Sequence, residues 1–162
     1  MEVPTWGRVG ACALVMSITF VACQSAPEDP EAQIRALIAK AEKAAEEKDV
    51  GTLKGLISES YAGGEPKDKR ALVGTIGYFM LRNSSIHLLT QVSSIEFPEP
   101  KHAECTVYVA MAGRAIGGLG DLSDLRADIY RIDFSAAAEG NWKVTRAKWK
   151  TAGIEDLEPE AE

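Results

Sequence analysis

The chain has 162 residues, 46% hydrophobic and 26% charged, with 18 Lys and Arg against 24 Asp and Glu for a net charge of −6. That length supports one domain with a real core plus shorter end segments, and the composition excludes wholesale disorder, a collagen-like chain and a disulfide scaffold. The acidity is uneven. Glu28, Asp29 and Glu31 lie near the front, and Glu155, Asp156, Glu158, Glu160 and Glu162 crowd the C-terminus, so the stretch from Ile34 to Ile154 is slightly net positive. Overall acidity argues against a general nucleic-acid binder, but a slightly basic centre moves that exclusion onto where the chain goes.

The run from Val9 to Ala22 is uncharged and mostly apolar, with Arg8 before it and Cys23 after it. It is too short to span a hydrocarbon core of roughly 30 Å as a helix, and it has the length of a signal-peptide core. The abrupt change to Gln-Ser-Ala-Pro-Glu-Asp-Pro argues against a buried core helix. Phe20-Val21-Ala22-Cys23 resembles the lipobox of bacterial lipoproteins. That resemblance implies cleavage before Cys23, diacylglycerol on its thiol and a membrane partner through that lipid; Gln24 there favours the outer membrane, facing the periplasm. An ordinary cleaved secretory signal and an uncleaved anchor are the other readings. With Cys12 removed and Cys23 lipidated, Cys105 is the one domain thiol, so no internal disulfide forms. Within a strand-like run, Cys105 reads as a small buried hydrophobe.

Residues 23–30 read as lipidated Cys and tether, 31–154 as the folded domain and 155–162 as an acidic flexible tail. Asp29-Pro30 has the form of an N-cap with proline at the first helical position. Ile34, Leu37, Ile38, Ala41 and Ala45 then follow the i, i+3, i+4, i+7 spacing of a one-sided helix, with Lys40, Lys43, Glu46 and Glu47 opposite. Asp49 can cap a second short helix bearing Leu53, Leu56 and Ile57. After a turn at Gly63, Gly64 and Pro66, a third helix from about Lys67 to Arg82 carries Leu72, Ile76, Phe79 and Met80, weakened by Gly74 and Gly77. Four runs rich in β-formers follow: Ser85 to Phe97, Ala103 to Gly113, Leu125 to Ala136 and Asn141 to Thr151. Pro98-Glu99-Pro100-Lys101 and Glu139-Gly140-Asn141 supply hairpin turns.

Three helices and then four long antiparallel strands predict an α+β fold with a bent sheet wrapped over helices. This order resembles the NTF2-like (cystatin-like, SnoaL-type) superfamily from Pro30 to Ile154, and so do three stretches: the Glu-Glu-Lys-Asp-Val turn, Leu56-Ile57-Ser58-Glu59-Ser60-Tyr61, and Gly140-Asn141-Trp142-Lys143-Val144 leading to Trp149. The resemblance implies a pocket on the concave side of the sheet, used by some members for isomerase, dehydratase or cyclase chemistry and by others for binding alone.

No branch motif carries catalytic residues over, so candidates come from the residues themselves. His87 suits acid–base work and shares a strand face with Leu89, Gln91 and Ile95 by alternation; a strand histidine without chemistry is the plainer reading. Asp128 alternates onto the face of Tyr130, Ile132 and Phe134, where apolar surroundings would raise its pKa, unless it sits at the mouth and pairs with Arg126 or Arg146. Asp133 beside Arg131 reads as solvated. Tyr61, Tyr78, Tyr108, Tyr130 and Trp149 are candidate pocket residues, or simply core. The glycine-rich stretch from Gly113 to Asp124 matches no phosphate or dinucleotide fingerprint and reads as a flexible connection, with a lid over the open end as the sharper alternative. Arg146, Lys148 and Lys150 alternate onto one face of the last strand, either as protective edge charge or as a surface for anionic headgroups or an envelope partner.

No metal site or cofactor is expected from two histidines and no ligand-spaced cluster. The sequence therefore reads as a lipid-anchored envelope protein that binds a small apolar ligand or a partner without catalysis, with a homodimer left open. The alternative is a small pocket enzyme using Asp128 or His87 as base.

Overall fold

The computed structural model describes residues 29–63 and 66–157; the signal segment, Cys23, the tether as far as residue 28 and residues 158–162 lie outside the described residues. The helices start where short acidic side chains can take up orphan backbone N–H groups. Asp29 accepts from the Glu31 N–H at 3.2 Å and opens α1 (Pro30–Glu46). Asp49 accepts from the N–H and hydroxyl of Thr52 at 2.9 and 2.6 Å and opens α2 (Val50–Leu56). Asp68 accepts from the Ala71 N–H at 2.8 Å and opens α3 (Lys69–Arg82), setting its start two residues after Lys67. Lys48, in the left-handed region at φ 56°, donates from Nζ to the carbonyls of Asn83 and Ser84 and so ties the end of α1 to the end of α3.

The strands β1 (His87–Glu99), β2 (His102–Ala112), β3 (Asp128–Glu139) and β4 (Asn141–Thr151) form one antiparallel sheet in sequence order. β3 begins and ends three residues later than the sequence suggests. Leu122–Leu125 forms a short helical turn, α4, closed by Arg126 in the left-handed region, so extended backbone starts only at Asp128. Strand character then runs through Ala136, Ala137 and Ala138 to a tight turn at Gly140, where φ is 81°. Register shifts between Val92 and Ser94, and between Ser135 and Ala136, mark bulges of the kind that bend a sheet.

Helices cover the concave face. Ile34 and Leu37 of α1 pack on Ala103, Cys105, Phe134, Ala136 and Trp142 at one end. The β4 edge is sealed by residues 57–62: Ile57 bridges Val144 in parallel, Ser58 donates its N–H to the Val144 carbonyl at 2.9 Å, and Ala62 donates to Thr145 at 3.0 Å. The fully buried Ser58 hydroxyl donates to Glu139 at 2.5 Å. Glu46 accepts the Leu88 N–H at 2.9 Å on the β1 edge.

On the opposite face, Leu122 joins Ala110, Ile129 and Leu157 in a small buried cluster. Two readings change as a result. The glycine-rich segment, expected as a flexible connection with a lid as the alternative, is anchored against the back of the sheet, where Leu122 inserts, and so does not reach over the open end. The folded unit also runs past Ile154, since Leu157 is fully buried and a short 3-10 turn at Ile154–Asp156 delivers it. Glu155 and Asp156 therefore belong to the fold and not to a flexible tail.

Candidate functional site

Along α1 the side chains facing the sheet shrink, from Ile34, Leu37 and Ile38 to Ala41 and Ala45. The sheet adds Thr90 and Val109, also modest in size, to the same lining. The missing volume remains as a cavity of about 490 Å³, roofed by α3 through Ile76, Phe79 and Met80 and floored by Leu37, Val107 and Phe134. That volume lies within the ligand-sized range of roughly 300–1,000 Å³. Its lining is overwhelmingly apolar, and Glu42 is its one charged side chain among the described residues.

Glu42 lies one turn after Ile38 on the edge of the α1 stripe. Partial burial pushes its carboxyl above the usual carboxylate range; a hydrogen bond with the Thr90 side chain pulls it partly back, and the nearby charge of Glu46 adds to the rise. The other polar lining groups are Thr75, whose hydroxyl donates to the Ala71 carbonyl at 3.1 Å, Thr90 and Tyr130, with the Trp149 indole at the 43% exposed rim. Glu42 and Thr90 were not singled out by the sequence, although Ile38 to Glu42 is an i, i+4 step from the apolar stripe and was the available signal.

The aromatic candidates divide. Tyr130 and Trp149 line the cavity. Tyr61 does not: it is buried against Ile57 and Leu72, with its hydroxyl 3.5 Å from the Ala147 carbonyl, and burial raises its pKa. Tyr78 is 61% exposed on the outer side of α3, with the Arg82 guanidinium 5.6 Å from its ring centre. Tyr108 faces the back of the sheet, between Gln91 and Arg131. Helical rotation removes Tyr78 and strand alternation removes Tyr108.

Neither proposed base reaches the cavity. His87 is half-buried, but at this end of β1 Leu88 and Thr90 take the concave face, which leaves His87 on the other face with Leu89 and Gln91. Ile95 does not share that face: the bulge after Val92 reverses the alternation and sets Ile95 opposite Cys105 in the concave core. Asp128 has the concave parity and pairs with Met111, yet it is the first residue of β3, exposed and beyond the cavity lining. It makes no ion pair with Arg126 or Arg146 among the described residues. Cys105 is buried, and burial pushes its thiol up to about 11, so it is an inert core residue.

Arg146, Lys148 and Lys150 do share the back face, opposite Ser135, Asp133 and Arg131 respectively. Acidic groups lie among them. Glu96 pairs with Glu104, and both line a shallow groove of about 320 Å³ together with Asp133, Arg146 and Lys148. Burial opposes ionisation of Asp133, but donors at 2.8 Å from Thr106 and 2.9 Å from Arg131, with the charges of Arg131 and Lys150, hold its carboxyl below the usual range. This surface is mixed in sign and not uniformly basic.

No protein-family model and no curated protein matches the chain. Solved structures do. An NTF2-like family protein from Streptomyces avermitilis, provisionally named a dehydratase, matches with a TM-score of 0.62 at 14% identity, over 78% of this chain and 99% of that one. The chain has the NTF2-like fold. A protein from Novosphingobium aromaticivorans, provisionally named a scytalone dehydratase, matches with a TM-score of 0.61 at 13% identity, over 76% and 84%. The Bd1075 structure from Bdellovibrio bacteriovorus matches with a TM-score of 0.57 at 10% identity; the match covers 75% of this chain but only 40% of that longer one. At these identities the likeness concerns the fold alone.

Proposed function

We propose that this is a lipid-anchored cell-envelope protein whose NTF2-like domain binds a small apolar ligand in the concave cavity without transforming it. The observation that carries the reading is the cavity of about 490 Å³ with a near-continuous apolar wall and one carboxylate. Burying an apolar ligand there contributes roughly 25 cal/mol per Å² removed from water, enough for a useful affinity without catalytic machinery. Two of the structural neighbours are provisionally named dehydratases. In this chain, however, Asp128 and His87 lie outside the cavity, and Glu42 with Thr90 supplies binding contacts more readily than a base with a partner acid. Membrane attachment is assigned to lipid on Cys23, facing the periplasm from the outer membrane. The mixed charge around Arg146, Lys148 and Lys150 gives that surface no strong pull toward anionic headgroups.

The binding claim is tested with N-phenyl-1-naphthylamine, a neutral probe that fluoresces in apolar sites. The protein should bind it saturably, and Val109→Trp, which fills the cavity, should abolish the signal with the fold intact by circular dichroism. Binding that survives Val109→Trp would place the probe elsewhere and defeat the reading. For the anchor, cells fed an alkyne-tagged fatty acid should label the wild-type chain and leave Cys23→Ser unlabelled; equal labelling would exclude Cys23 as the lipid site.

A further inference from the structure

The ligand class can be narrowed, on the premise that the cavity is a binding site. Glu42 has no cationic partner among the described residues. Lys43, its neighbour, reaches Glu47 at 3.8 Å; Arg35 is held by Glu31 at 2.8 Å; and Lys48 is spent on the carbonyls that end α3. The charge that acts on Glu42 is of the same sign, that of Glu46, whose carboxylate accepts the Leu88 N–H at 2.9 Å. A half-buried carboxylate on an apolar wall with a like charge beside it is incompletely compensated. The ligand group that compensates it best is a cation with N–H donors, through a charge-assisted hydrogen bond.

The surroundings point the same way. The Thr90 hydroxyl, which lines the cavity with Glu42, offers acceptor capacity toward a second donor. Thr90, Val109 and Tyr130 form one row across β1, β2 and β3. Tyr130 thus stands two strand spacings, about 10 Å, from Thr90. That distance accommodates a compact apolar body between the acidic corner and the aromatic side. At the open end the next row runs Leu88, Met111, Asp128, and it ends in an exposed carboxylate. Acid at the rim and acid in the wall favour entry of cations and oppose carboxylates such as fatty acids.

We propose that the cavity selects amines, molecules with one protonated amino group on an apolar body, and that Glu42 with the Thr90 hydroxyl forms the head-group site. The test uses three water-soluble probes with one rigid body and different heads: 1-adamantanamine, 1-adamantanol and 1-adamantanecarboxylate, titrated calorimetrically into the full-length protein at neutral pH. The amine should bind about tenfold more tightly than the alcohol, and the carboxylate more weakly than either. Glu42→Gln, nearly isosteric, should bring the amine to the level of the alcohol while the alcohol changes by less than about threefold. Thr90→Val should lower amine affinity by a smaller factor, and matching melting curves should show that both variants fold. Any result in which the amine does not outbind the alcohol, or keeps its advantage in Glu42→Gln, overturns the proposal. If N-phenyl-1-naphthylamine still binds in that case, the apolar pocket stands and only its head-group assignment falls; if it does not, both fall.

Discussion

The two ends of the concave face are built from the same helix and the same sheet, yet one is solid and the other hollow. At the closed end Ala103 and Ala136 let α1 approach, and Trp142, Phe134, Ile34 and Leu37 fill the remaining space. Phe97 closes over Trp142 edge-on at 5.9 Å between ring centres. At the open end α1 and the sheet contribute small or modest residues, Ala41, Ala45, Thr90 and Val109, to the lining, and the large side chains that surround them leave a cavity unfilled. Small residues matched by large ones make core, while small residues left unmatched make a cavity. Stability should therefore concentrate at the closed end and ligand recognition at the open one.

The sharpest way to break this contrast is to truncate one tryptophan from each end. Trp142→Ala should cost about 3–5 kcal/mol, read from the urea midpoint. Trp149→Ala, at the exposed rim, should cost less than about 1 kcal/mol and instead weaken probe binding. Equal losses would mean that the rim is core after all.

Enlarging an alanine tests the same contrast from the other side. Ala136 is fully buried, so Ala136→Leu should overpack the closed end by about 1–3 kcal/mol. Ala41→Leu projects into free volume and should leave the melting temperature nearly unchanged while displacing N-phenyl-1-naphthylamine.

The roof helix offers a smaller effect of opposite sign. A Cβ at Gly74 would meet nothing within 4 Å, so Gly74→Ala should stabilise by about 0.5–1 kcal/mol through helix propensity alone. A loss of stability there would reveal a contact on the outer face of α3.

The smallest effect lies with Glu42, whose folded-state pKa is raised. The folded state holds that proton more tightly than the unfolded chain, so the contribution is fully favourable below the ordinary carboxylate range and declines as pH rises through the raised value. Glu42→Gln should thus be slightly more stable than wild type at neutral pH, by a few tenths of a kcal/mol after solvent screening. The difference should vanish below about pH 4. A gap that widens toward acid would reverse the assigned sign.

Much of the architecture was legible because it follows from local rules. Asp29 and Asp49 cap helices as their positions suggest, and β-rich runs bounded by Gly, Pro and Asn became the four strands. The site was harder to read. Alternation assigned His87 and Asp128 to faces, but a face is not a cavity: Asp128 stands exposed at a strand end, although its row partners Leu88 and Met111 line the cavity. The bulge at Val92 reversed Ile95, and a bulge leaves no reliable mark in the sequence. Glu42 was hidden because charges on an amphipathic helix are read as solvated until the width of the buried stripe is known.

The sequence by itself determined helices before strands, a one-sided α1, a meander of antiparallel strands and a buried inert Cys105, because capping, periodicity and turn chemistry act over a few residues. Tertiary structure alone decided that the Gly113 to Asp124 segment anchors on the back of the sheet through Leu122, that Leu157 closes the fold, and that Glu42 joins Thr90 in an apolar wall. Those outcomes depend on how far apart helix and sheet come to rest, and that spacing is set by side-chain volumes summed across elements distant in the chain.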